Sequence, residues 1–334
     1  MRARCFLIPY ELTIAPALLV IAVACGSGGD GGSPGGDPTD SIRVGSKPWA
    51  VAIDSERDLL YAGNEFDNTV SIVNLKNPEE PKTVASGTGP VAIAVNTETG
   101  LAYVADAFSD EVTVFDGAEV VTTIRVGVQP WDVAVDSVAN RIYVANSGDD
   151  TVSVIYGGSH EEVARIEALH EPWGLALTAD GRTLYVANAA TDEVVAVDTD
   201  KGQVVASGHA GERPRGIALD EKTGRLYVVN SEDATLSVMS LPDLTTVATV
   251  PVGLVPLAVA VNPARPEAYV VNSLNDNMTV INTETNQAVA TVPAGGKPWD
   301  IVVSPDGSYI YVAASASGEI RVFAADDLAA TAAP

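Results

Sequence analysis

All four tryptophans of the chain, Trp49, Trp131, Trp173 and Trp299, directly follow a proline. An indole presents a flat, electron-rich face, so four of them in one recurring position could stack a planar ligand or a sugar, or hold a cation. Asp132 and Asp300 follow two of them, and Arg215, Val91 and Leu257 take the same post-proline position elsewhere. Two readings of the indoles stand open. Either they line a binding surface, or they pack between neighbouring structural units, as large aromatics often do. Arg215 is hardest to explain by packing and is the leading polar candidate.

Other chemistry is sparse. Of His160, His170 and His209, only His170, two residues before Pro172, is expected near the same surface. His170 with Arg215 and Asp132 could converge as an enzyme site. His170 with His209 could ligate a haem iron, but Cys-x-x-Cys-His is absent and solvated loop histidines are the simpler reading. No Gly-x-Ser-x-Gly, His-Glu-x-x-His or nucleotide-binding glycine loop is present. Asn64, Asp106, Asn146, Asn188, Asn230 and Asn272 recur, and Asn68, Asp110, Asp150, Asp192 and Asp276 follow most of them by four residues. A calcium ring is conceivable. Regular recurrence argues instead for Asx turns, whose side chains bond their own loop backbone. No cofactor is therefore expected, with calcium or a tetrapyrrole as the outside alternatives.

These positions belong to a repeat. Pro48, Pro90, Pro130, Pro172, Pro214, Pro256 and Pro298 are 42, 40, 42, 42, 42 and 42 residues apart, and each is followed 13 residues later by a tyrosine. The short interval falls at "VFDGAEVV" (114–121), a tight-hairpin signal. Each copy reads as four strands, in copy three about 131–136, 141–146, 151–156 and 162–167, joined by Asp-Gly and Thr-Gly turns. "VAVD" and "IYVAN" are apolar on both faces, as in strands buried on both sides. Four strands in about 40–45 residues is the propeller period. The expected fold is all-β: a seven-bladed β-propeller of four-stranded antiparallel blades over 41–334. One four-stranded sheet cannot bury both faces, whereas seven in a ring bury them against one another. "SIRVG" (41–45) matches "TIRVG" (123–127), an outer strand, so Ile42 to Val44 are expected to complete blade seven. The alternative is that the alanine-rich "LAATAA" near the C-terminus forms that strand alone.

Tyr-Val-x-Asn at this spacing after Gly-x-x-Pro resembles the YVTN-repeat, YncE-like propellers over the whole of 41–334. The family's threonine is replaced by Ala, Val or Gly throughout, and blade seven has Ala314 in place of the asparagine. The resemblance implies a seven-bladed, mostly extracytoplasmic propeller. It implies little about activity, because the fold hosts binding proteins, tetrapyrrole carriers and some enzymes.

Residues 1–24 read as a signal peptide, with Arg2 and Arg4 before the apolar run "LTIAPALLVIAVA". "AVAC" resembles a lipobox with Cys25 as the acylated residue, and 25–40 form a Gly/Ser-rich tether. The expected location is exported and membrane-anchored, periplasmic or at the cell surface (the outer membrane in a Gram-negative cell). Loss of Cys5 with the signal leaves no disulfide and no thiol nucleophile in the propeller.

The chain holds 19 basic and 44 acidic residues, a net charge of −25. That repels nucleic acid and anionic headgroups, so membrane contact is expected through the lipid alone. The function expected is a non-catalytic binding module, a monomeric propeller whose Trp-lined face takes an envelope protein, an envelope polymer or a small molecule. A propeller enzyme of lactone-hydrolysing or cofactor-dependent redox type is the alternative.

Overall fold

The computed structural model describes residues 40–167 and 169–331, with the side chains of 329–331 left out. The leader, Cys25 and nearly all of the tether lie outside the described residues.

Seven four-stranded antiparallel sheets follow one another along the chain. Blade three shows the unit: Pro130–Asp136, Arg141–Asn146, Thr151–Tyr156 and Glu161–Ile166, running from the channel outward. Blade seven has Pro298–Val303, Tyr309–Ala314 and Glu319–Ala324, and its outermost strand is Asp40–Arg43 from the other end of the chain. Ile42 sits opposite Ile320, Arg43 opposite Glu319, and the Val44 amide donates to the Gly318 carbonyl at 3.0 Å. The ring is thus closed by the segment that leads directly into blade one.

The core is divided as the ring requires. Seven apolar clusters occur, and each joins two neighbouring blades. Tyr103 of blade two, for example, packs with Ile142, Val144 and Ile155 of blade three. The second and third strands are buried almost throughout, which accounts for their unbroken apolar runs. The innermost strands are mixed: Pro48–Asp54 and Pro172–Leu177 are mostly buried, whereas others depart from the expectation of double burial. Pro130–Asp136 is half-buried over most of its length, because one of its edges faces the central channel and not another strand.

The recurrent Asn and Asp residues are blade staples. Asn146 Nδ2 donates to Thr151 Oγ1 and Ser153 Oγ at 3.0 and 2.9 Å, and Asn64, Asn230 and Asn272 repeat the arrangement. Asp106 accepts the hydroxyl protons of Ser86 and Thr113 instead. Four residues on, Asn68, Asp110, Asp150, Asp192 and Asp276 all have φ of 55–60°. Each accepts the amide of the residue just before the next proline, at 2.7–2.9 Å. That pre-proline residue has positive φ in all seven copies, even Val255 at 53°. A β-branched residue pays for that conformation, so the bond across the blade boundary explains the Asx side chains opposite.

The C-terminal tail does not supply the alternative outer strand of blade seven. Ala325–Thr331 is an α-helix, not a weak strand. With the outer position already taken by Asp40–Arg43, alanine's helix propensity decides, and Asp326 and Asp327 sit favourably in the first turn. Ala325 and Leu328 seal the apolar cluster between blades six and seven.

Candidate ligand site at the channel mouth

The Gly-x-x-Pro entries and the loops after Tyr-x-x-Asn meet on one face of the disc, where the Glu65 amide donates to the Lys47 carbonyl and the Ser147 amide to that of Gln129. The innermost strands start here, so the seven post-proline side chains surround the channel. They line a cavity of about 380 Å³ together with Asp132 and Asp300.

The indoles contact one another. Trp299 and Trp49 stack with centroids 3.9 Å apart and planes 2° from parallel. Trp49 meets Trp131 at 6.3 Å, and Trp131 stacks on Trp173 at 4.3 Å. The Arg215 guanidinium lies over Trp173, 4.3 Å from its centroid. The result is an arc from blade seven through blades one, three and four to blade five, open at Leu257 of blade six. Val91, the aliphatic member in blade two, is small enough for Trp49 and Trp131 to meet beside it. Trp49 Nε1 donates to Ser315 Oγ at 3.2 Å and Trp173 Nε1 to Glu171 Oε1 at 3.3 Å, while Glu171 in turn pairs with Arg213. All four indoles are half-buried. The wedge between blades is the repeat tyrosine; the tryptophans are arranged around the channel.

Asp132 and Asp300 occupy equivalent places two residues after the proline. Asp132 accepts the amides of Val133 and, across the blade boundary, Leu175, both at 2.8 Å. Asp300 accepts those of Ile301 at 2.8 Å and Val51 of blade one at 2.9 Å. The innermost strand is a sheet edge, so its channel-side amides lack ladder partners, and these carboxylates supply acceptors. Other blades have Ala or Gly here. A Cβ on Gly174 would come 2.1 Å from the Arg215 carbonyl oxygen, so the neighbouring backbone itself fills that place.

Burial pushes the Asp132 carboxyl up to about 7, against its two amide donors and with a contribution from the Asp300 charge. Asp300 is raised by burial to about 6. Both therefore bind protons more readily in the folded protein than in the unfolded chain. Stability from these groups is greatest at and below about pH 4, falls as the pH rises to about 7, and is flat above. Asp132 is open only toward the channel, which reduces the effect to roughly 1–3 kcal/mol. Denaturant unfolding of the wild type should give higher stability at about pH 5 than at pH 8, and Asp132→Asn should make that difference smaller. An unchanged difference in the variant would remove Asp132 as its source.

His170 does not line the cavity; its side chain is exposed and its backbone amide donates to Asn188 Oδ1 at 3.4 Å. His209 ends the outer strand Gln203–His209, away from the channel wall. Hence the His170–Arg215–Asp132 constellation does not assemble in the channel, and neither histidine reaches the cavity. Among the described residues, no group of three or more His, Cys, Asp or Glu side chains is gathered for a metal ion.

One feature of the face escaped sequence reasoning. Phe66, Phe108 and Leu274, each two residues after the repeat Asn or Asp, are exposed, Phe66 by 67 %. Val128 and Leu254, two before their prolines, are also exposed. Leu274 and Leu254 are joined by a backbone hydrogen bond of 3.2 Å, and Lys47 lies over the Phe66 ring at 5.1 Å. These residues form a discontinuous apolar crown on the Trp face. Tabulating the repeat by column would have revealed it, since polar or small residues hold these columns in other copies.

A family model described as a seven-bladed β-propeller lactonase matches residues 175–331, and one described as a YNCE-like β-propeller matches residues 128–217. No curated protein matches the sequence. Among solved structures, hydrazine synthase from Kuenenia stuttgartiensis is similar, with a TM-score of 0.75 and 21 % identity, covering 83 % of this chain and 95 % of that one. Identity so low speaks for the fold alone. The class is thus an all-β, seven-bladed propeller. Within it, the stretch 128–217 is similar to the YncE-like propellers.

Proposed function

We propose that this propeller, similar in part to the YncE-like ones, is a non-catalytic binding module, exported, held at a membrane by a lipid on Cys25, and docking its ligand or partner on the Trp-lined face. The observation that carries the reading is the half-buried arc of four indoles at the mouth of a 380 Å³ cavity. The exposed crown of Phe66, Phe108 and Leu274 adds apolar area beside it. Exposed aromatic surface of this kind is what a docking face supplies. The net charge of −25 argues against nucleic acid as partner. An envelope protein, an envelope polymer and a small molecule are the classes that remain.

Cross-linking in intact cells followed by mass spectrometry tests the reading. The combined Trp131→Ala and Trp173→Ala variant should lose the wild-type partner while keeping its cooperative thermal unfolding. An unchanged partner profile in a folded variant would reject the face.

The lactonase match over 175–331 favours a second reading, a propeller enzyme. Two channel carboxyls that titrate near neutrality are suited to general acid–base work. Against it, every oxygen of both carboxylates already accepts a backbone amide in the manner of a blade staple. Lactone hydrolysis by the purified protein that is lost in Asp132→Asn would reverse the order of the two readings.

A further inference from the structure

The cavity wall holds a definite set of charges. Its charged members are Asp132, Asp300 and Arg215. Two carboxylates against one guanidinium leave the wall with a formal charge of −1 when both are ionised. Each carboxylate has four lone-pair sites. The four amide bonds of the two groups use half of those sites, so acceptor capacity remains on both.

The indole arc already carries one cation. The Arg215 guanidinium lies over Trp173, which shows that an indole face of this arc accepts a guanidinium at 4.3 Å. The arc stops at Trp299, and Leu257 occupies the seventh position between it and Arg215. An aliphatic side chain there leaves the two ends of the arc without a direct aromatic link. At about 380 Å³ the space falls within the range of small-molecule sites, about 300–1,000 Å³.

We propose that the channel takes an organic monocation, a flat or apolar body bearing one ammonium or guanidinium group. Its body rests on the indole arc, and its charge faces Asp132 and Asp300. This deepens the reading of the Trp-lined face as a docking site and rests on it. A neutral ligand of the same shape gains the stacking but leaves the negative wall uncompensated, and an anion is repelled by it. The same logic makes binding pH-dependent: protonation of Asp132 and Asp300 below about pH 6–7 removes the attraction.

Benzamidine and benzamide are a matched pair of probes, nearly equal in shape and different in charge. Titration of the intact protein, read by tryptophan fluorescence, should give benzamidine an affinity about tenfold higher at pH 8. That preference should shrink severalfold at about pH 5 and vanish in the Asp132→Asn, Asp300→Asn double variant. Equal affinity for the two probes, binding of neither, or a preference that survives in the folded double variant would overturn the proposal. The comparison on the unaltered protein stands even if the double variant does not fold. Failure of both probes, with the Trp131→Ala, Trp173→Ala variant still losing its cross-linked partner, would reject the cation and leave the docking face in place.

Discussion

Ile42→Asp should destabilise the propeller by roughly 3–5 kcal/mol, the sum of lost apolar burial and an unpaired carboxylate in the core. Ile42 is only 7 % exposed and lies among Val51, Leu60 and Ala62 of blade one and Ala313 and Ile320 of blade seven. Its strand, Asp40–Arg43, supplies the outer edge of blade seven and runs straight into blade one. The covalent link and the apolar contact therefore cross the same boundary, and a carboxylate there attacks the point at which the ring is closed. Ser41→Asp is the control, because Ser41 is exposed on the same strand; it should change stability by no more than about 0.5 kcal/mol. Denaturant unfolding followed by circular dichroism measures both. Equal midpoints for Ile42→Asp and the wild type would mean that the terminal strand contributes nothing to closure.

Tyr103→Ala should cost about 3–5 kcal/mol, as expected for truncating a large, fully buried aromatic side chain. Tyr103 is completely buried between blades two and three, against Ile142, Val144 and Ile155. Its hydroxyl has no hydrogen-bonding partner among the described residues, and burial pushes its pKa up. Tyr103→Phe should accordingly stay within about 1 kcal/mol of the wild type, since no bond is lost and the ring remains. A Phe variant as unstable as the Ala variant would show that the hydroxyl, and not the ring, holds the two blades together. The comparison asks directly what the repeat tyrosine does.

The fold was legible because its information is local and repeated. A proline opens each innermost strand, a tyrosine 13 residues later marks the second, and turn residues separate the strands. Strand pairing within a blade joins segments close in sequence, so short apolar runs and turn chemistry suffice to place it. Even the closure by Ile42 was readable, since "SIRVG" copies an outer strand whose blade lacks its other three. The alternative strand in the tail does not form, for a related reason. The tail has no blade position left to fill once the N-terminal strand is in place, and local propensity then makes Ala325–Thr331 a helix.

The site was legible as a set of residues but not as an arrangement. Sequence alone determined that Trp49, Trp131, Trp173, Trp299 and Arg215 share one position of the repeat, and so one face. Only the tertiary structure decided that the indoles stack on one another, that Arg215 caps the arc, and that Asp132 and Asp300 reach across to Leu175 and Val51. It also removed His170 from the channel. The physical reason is distance along the chain. Trp299 and Trp49 are 250 residues apart, and their 3.9 Å stacking depends on the curvature of a closed ring, a property that no single repeat contains.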